Sequence, residues 1–163
     1  MRAALVMVLV LLSGCGKSSE SESEKATFET PDGTVEFDEG RIDVTTSEGR
    51  FVMGSTAMPE GCPIVLMDGA TIVNSTHMSQ PDGNELFQLH VTTAAPLKDV
   101  AAFYEKMFKD LGVEVTRSEQ ADAETQIIML TGAAEGIDAS AMIMRERGST
   151  ETNATITWNG KKK

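Results

Sequence analysis

Basic residues are scarce in this chain. Fourteen lysines and arginines stand against 25 aspartates and glutamates, a formal charge of −11. So acidic a chain lacks the cationic surface that nucleic-acid phosphates require, and anionic lipid head groups repel it. Histidine and cysteine each occur twice, which excludes a disulfide framework or a paired CxxC metal site. The longest apolar run is the ten residues from Ala3 to Leu12, about half of the roughly 20 that a membrane-spanning helix needs. No nucleophile elbow, phosphate loop, dinucleotide fingerprint or HExxH motif occurs, so no catalytic residue stands out.

What the chain does have begins at its start. Met1-Arg2, the apolar run and Ser13-Gly14-Cys15 have the build of a secretory signal peptide: one positive charge, a short hydrophobic segment and a small-residue exit. Leu12-Ser13-Gly14-Cys15 resembles the lipobox of bacterial lipoproteins. The resemblance implies cleavage between Gly14 and Cys15, so that residues 1–14 are a removed leader and Cys15 is the new N-terminus. It also implies a diacylglyceryl group, carrying palmitate-type chains, on the Cys15 sulfur. The lipid bilayer is then a partner, and the chain belongs on the non-cytoplasmic side of a cell membrane or outer membrane. Gly16, with no aspartate there, resembles the arrangement that favours the outer membrane in Gram-negative cells. With Cys15 in a thioether, Cys62 is left as an unpaired thiol.

Residues 15–26 contain almost no apolar side chain beyond the lipidated position, so they are expected to form a disordered tether. Ten such residues span about 17–20 Å on average. Residues 27–57 alternate apolar and polar side chains between Pro31-Asp32-Gly33, Asp38-Glu39-Gly40 and Ser47-Glu48-Gly49, the pattern of a short β-meander. Its acidic residues match no calcium-loop spacing and read as a solvated face.

Residues 58–160 predict an α+β domain in the order β-β-α-β-β-β-β. Gln80-Pro81-Asp82-Gly83 marks a hairpin, and Phe87, Leu89 and Val91 alternate along its second arm. From Pro96 to Leu111 the apolar residues Leu97, Val100, Ala101, Tyr104, Met107 and Phe108 keep three- and four-residue spacing, with Gly112 at the expected cap position. Lys161 to Lys163 form a basic tail. The fold expected is therefore α+β: an antiparallel sheet packed by one main amphipathic helix and preceded by the meander. One helix covers one face. Because Ile127 to Leu130 and Met142 to Met144 are apolar on both sides, the second face needs a cover, and the meander is the simplest candidate, with a ligand or a second copy of the chain next.

The stretch from Pro59 to Leu111 is also similar to a domain found in secreted bacterial lipoproteins of unknown function. The likeness is carried by Pro59 and Pro63, Gly69-Ala70, Thr92-Thr93, Val100-Ala101-Ala102-Phe103-Tyr104 and Leu111-Gly112. Leu66-Met67-Asp68 stands where that pattern has an aromatic and a proline. The resemblance implies a compact α+β fold and brings no catalytic residues.

Two sets of residues are candidates for function. The second face bears one of the pairs Met142/Met144 or Ala141/Ile143, and Met142, Met144, Thr155 and Thr157 are the candidates to line it as a binding surface for an envelope protein. His77, Met78 and His90 are the weak metal candidates, since imidazole and thioether ligands suit copper. Methionine is equally a core filler, so no metal or cofactor is assigned. The function expected is a membrane-anchored envelope lipoprotein that works as a non-catalytic binding module, with periplasmic copper handling as the alternative.

Overall fold

Ten strands pair into a single antiparallel sheet in the computed structural model, which describes residues 25–161. The leader, the lipobox with Cys15, most of the tether, and Lys162 and Lys163 lie outside the described residues. The strands are β1 (Ala26–Thr30), β2 (Gly33–Asp38), β3 (Arg41–Thr46), β4 (Gly49–Ser55), β5 (Thr71–Ser79) and β6 (Asn84–Thr93). Helix α1 (Leu97–Asp110) follows, then β7 (Glu114–Ala121), β8 (Thr125–Ala134), β9 (Ile137–Glu146) and β10 (Thr152–Lys161).

Spatial order runs β1-β2-β3-β4-β5-β6-β10-β9-β8-β7. The first six strands are consecutive hairpins. The chain then leaves β6 through α1 and reaches the opposite edge at β7. Three further hairpins bring it back, so that β10 pairs with both β6 and β9. Lys161 is the last residue of β10 and not part of a tail.

The expected α+β class is corrected by this architecture. Strands hold 59% of the described residues and the helix 10%, which makes the fold mainly β. The reason lies in the meander. It does not fold over the second face as a separate layer. Instead β4 pairs with β5 and extends the sheet edgewise, leaving the helix above only one end.

That end holds the core. Register places Val91, Ala154, Ile143 and Ile128 side by side across β6, β10, β9 and β8, with Leu89, Ile156, Ala141 and Leu130 in the next row. All eight are buried, and α1 sits over them with Val100, Ala101, Tyr104, Met107 and Phe108 inward. The small residues Ala139, Ala141 and Ala154 leave room for the helix's ring side chains, consistent with close interior packing. The helix ends in a Schellman motif: Val113 N–H donates to the Phe108 carbonyl at 3.0 Å and Gly112 N–H to the Lys109 carbonyl at 3.0 Å. Gly112 takes φ +82°, which a side chain would disfavour.

Two bulges bend the sheet where the meander joins the covered end, one between Met53 and Ser55 and one between Ile72 and Asn74. At the first, Gly54 takes φ +85°, and a β-carbon there would stand 2.1 Å from the Gly40 carbonyl oxygen. Only glycine fits.

Candidate functional site

The side of the sheet away from α1 has no buried residue on any strand; every side chain there is half-buried or exposed. Its register assembles an apolar row across six strands: Phe28, Val35, Val44, Phe51, Met78 and Leu86. Phe37, Ile42 and Met53 form the adjacent row on β2, β3 and β4. No charged side chain interrupts these two rows. Phe28 is 56% exposed and meets Phe37 edge-on at 5.9 Å between centroids. Contiguous apolar surface of this kind is uncommon on a solvated protein and marks interaction sites.

The same strands carry charge on their other side. Glu29, Glu36, Arg41, Asp43 and Arg50 alternate with the apolar set. Asp43 is buried among them. Arg50 donates to it through Nε (2.9 Å to Oδ1) and Nη2 (2.6 Å to Oδ2), and Arg41 Nη2 donates to Oδ2 at 2.9 Å. The Arg50 hydrogen bonds, with the charges of both guanidiniums, hold the Asp43 carboxyl below its ordinary range against the opposing effect of burial. A polar cleft of about 400 Å³ beside this group is lined in part by Arg41, Arg50, Glu60, Ser75 and His77; both arginines are paired with Asp43 and His77 is bonded to Glu85. The meander is thus a two-sided ribbon, apolar on one face and ion-paired on the other.

Each residue singled out in the sequence now has a place. Met142 and Met144 point to the open face, while Ala141 and Ile143, between and beside them, are buried under α1. Met142 stands between Met129 on β8 and Thr155 on β10, and Thr157 lies two residues along from Thr155 on that same face. The four proposed surface residues therefore share one face, with Met129 beside them. His77 and His90 do not come together. His77 lies on the helix side, stacked on Phe87 at 4.5 Å and bonded to Glu85. His90 lies on the open side, where Nδ1 is 2.9 Å from Thr155 Oγ1, and Met78 is also on that side, in the apolar row. Among the described residues no group of three or more His, Cys, Asp or Glu side chains could hold a metal ion.

Cys62 is a half-buried free thiol. Burial pushes it up to about 11, with a backbone hydrogen bond at Ile64 opposing the rise. It is a poor nucleophile in that setting.

Sequence reasoning missed the strongest part of the open face. The alternation along residues 27–57 predicts one apolar side for the meander and reads it as a buried one, whereas Phe28, Phe37, Phe51 and Met53 stand on that side unburied. The signal that could have found them is the count of layers: ten strands and one helix cannot cover four half-faces. The chain matches no family model, no curated protein and no solved structure.

Proposed function

We propose that this chain is a bacterial envelope lipoprotein, anchored through diacylglyceryl-Cys15, that works as a non-catalytic binding module. One observation carries the binding part: an uncharged apolar face spans β1 to β6 and is left bare by the protein's own layers. The anchoring part rests on Leu12-Ser13-Gly14-Cys15 and the apolar run before it. Several acyl chains on one cysteine give stable attachment at about 0.8 kcal/mol per buried methylene, where a single chain is marginal. The acidic domain then stands off the bilayer and offers its open face to another envelope protein.

The test is fractionation and pull-down from envelope extract with three proteins: the parent, Cys15→Ala, and the open-face variant Phe37→Glu. Cys15→Ala is expected to leave the membrane fraction. Phe37→Glu is expected to stay there and lose the partner. Cys15→Ala remaining in the membrane would refute the anchor, and a Phe37→Glu protein that keeps its partner would refute the face.

A further inference from the structure

Methionine serves two purposes in this fold. Met107 is 8% exposed beneath the helix and Met67 packs against the same core, the ordinary use of a flexible apolar side chain. Met129 and Met142 are different: they are 40% and 42% exposed on the open face, where there is no core to fill. Register puts them directly opposite each other on β8 and β9. Met144, two residues along β9, stands opposite Ile127 and is therefore a diagonal neighbour of Met129. Three thioethers share one patch at the β8–β9 end of the open face, away from the apolar rows of β1 to β6.

The spacing lets the three sulfurs meet. Directly opposite residues have β-carbons about 4.5–5.5 Å apart, and diagonal ones about 7–8 Å. Each methionine sulfur lies two bonds beyond its β-carbon on rotatable torsions, so the three can close on one ion lying between them. The residues that border the trio on β7, β8 and β10 are Ser118, Ile127, Asn153 and Thr155. No carboxylate, imidazole or thiolate is among them. His90, one strand beyond Thr155, has its Nδ1 2.9 Å from the Thr155 hydroxyl.

That donor set selects its ion. Calcium and magnesium require oxygen ligands, and zinc takes thiolate, imidazole or carboxylate. Neutral, soft thioethers select monovalent copper. The chain's charge of −11 favours the approach of a cation, and the exposure of Met129 and Met142 leaves its path open. We infer that Met129, Met142 and Met144 form a binding site for copper(I). It is a different place from His77, Met78 and His90, which do not converge. The site stands independently of the anchor at Cys15 and of docking on the β1–β6 rows.

The full chain carrying Cys15→Ala, with carbon-13 in its methionine methyls, is titrated with Cu(I) supplied as its acetonitrile complex under argon. The methyl signals of Met129, Met142 and Met144 are expected to move together and saturate, while those of Met58 and Met107 stay in place. The methyl readout separates this site from Cys62, which packs against the core on the helix side. Met142→Leu keeps the volume and removes one sulfur, so it is expected to weaken binding at least about tenfold, the scale on which even outer-shell partners of a metal act. Met58→Leu, at an exposed methionine off the patch, is expected to leave the affinity unchanged. Zn(II) is expected to move none of the three signals. Three methyls that do not move together, equal affinities for the parent and Met142→Leu, or a Zn(II) response as large as that of Cu(I) would each overturn the inference. The titration of the parent patch and the Zn(II) comparison need no variant there, so they stand even if Met142→Leu folds poorly.

Discussion

Met142 and Ile143 are neighbours on β9, and replacing each by alanine separates the two faces of the sheet. Ile143 is 0% exposed and sits between Ile128 and Ala154 beneath the helix. Its truncation removes three carbons, about 2.4 kcal/mol at roughly 0.8 kcal/mol per methylene. A cavity penalty adds to that, so Ile143→Ala is expected to cost about 3–4 kcal/mol. Met142 is 42% exposed on the open face. Complete burial of a methionine is worth about 1.5–3 kcal/mol, and here much of the side chain is already in water, so Met142→Ala is expected to cost about 1 kcal/mol or less. No cavity forms, because solvent fills the space. At about 3 °C per kcal/mol for a domain of this size, Ile143→Ala should melt about 10 °C lower and Met142→Ala within about 3 °C of the parent. Urea and thermal denaturation of the purified chains measure both, with an unchanged urea slope confirming that stability alone has moved. If Met142→Ala costs more than half of what Ile143→Ala costs, the second face is covered in the isolated chain and the reasoning fails.

Three other perturbations test separate parts of the structure. Tyr104 is fully buried, and its hydroxyl has no partner within strict hydrogen-bond geometry among the described residues. Burial raises it to about 12, with the backbone amide of Met67 opposing the rise. Tyr104→Phe removes an unsatisfied group, so it is expected to leave stability unchanged or raise it by up to about 1 kcal/mol; a loss above that would mean the hydroxyl is bonded. Asp43 is held below its ordinary value of 3.8, first by the Arg50 hydrogen bond. A depressed carboxylate contributes stability above its unfolded value, and that contribution fades as pH falls through the lower folded value. Asp43→Asn should therefore cost about 1–2 kcal/mol at pH 7, the guanidiniums being half exposed, and the gap to the parent should narrow below about pH 4 in acid denaturation. A gap that widens in acid would refute the pairing. With its thiol at about 11 instead of 9.0, native Cys62 should hold about a hundredfold less thiolate than an open cysteine. Its alkylation at pH 8 should slow in proportion and recover in urea, and native reactivity equal to the unfolded rate would contradict the burial.

Local patterns were readable from the residues and non-local ones were not. Leu97, Val100, Ala101, Tyr104, Met107 and Phe108 mark a helix because helical spacing is set within a few residues, and the observed span is Leu97–Asp110. The turn residues likewise mark where strands reverse. Which strands then become neighbours depends on the whole chain: nothing near Thr152 says that β10 enters beside β6. The β1 strand, with Phe28 as its one large apolar residue, carries too little pattern to be read as a strand and exists by pairing with β2. The surface candidates show the same division. Ala141, Met142, Ile143 and Met144 are all apolar, so alternation alone allows either pair to face out, and only the position of α1 decides for Met142 and Met144. His77 and His90 are both on the predicted hairpin, but the pairing of His77 with Phe87 sends His90 to the other face. Met129 and Met142 carry no sequence motif; their meeting is a product of register.

The open face is tested most directly by photo-crosslinking in cells. Positions 36 and 37 are adjacent on β2 and face opposite sides, Glu36 toward the ion-paired side and Phe37 toward the apolar rows. A photoreactive residue at 37, and in a second protein at 51, is expected to capture the same discrete partner, while the same residue at 36 captures none. Equal capture from 36 and 37, or none from 37 and 51, would contradict a binding module that works through its bare face.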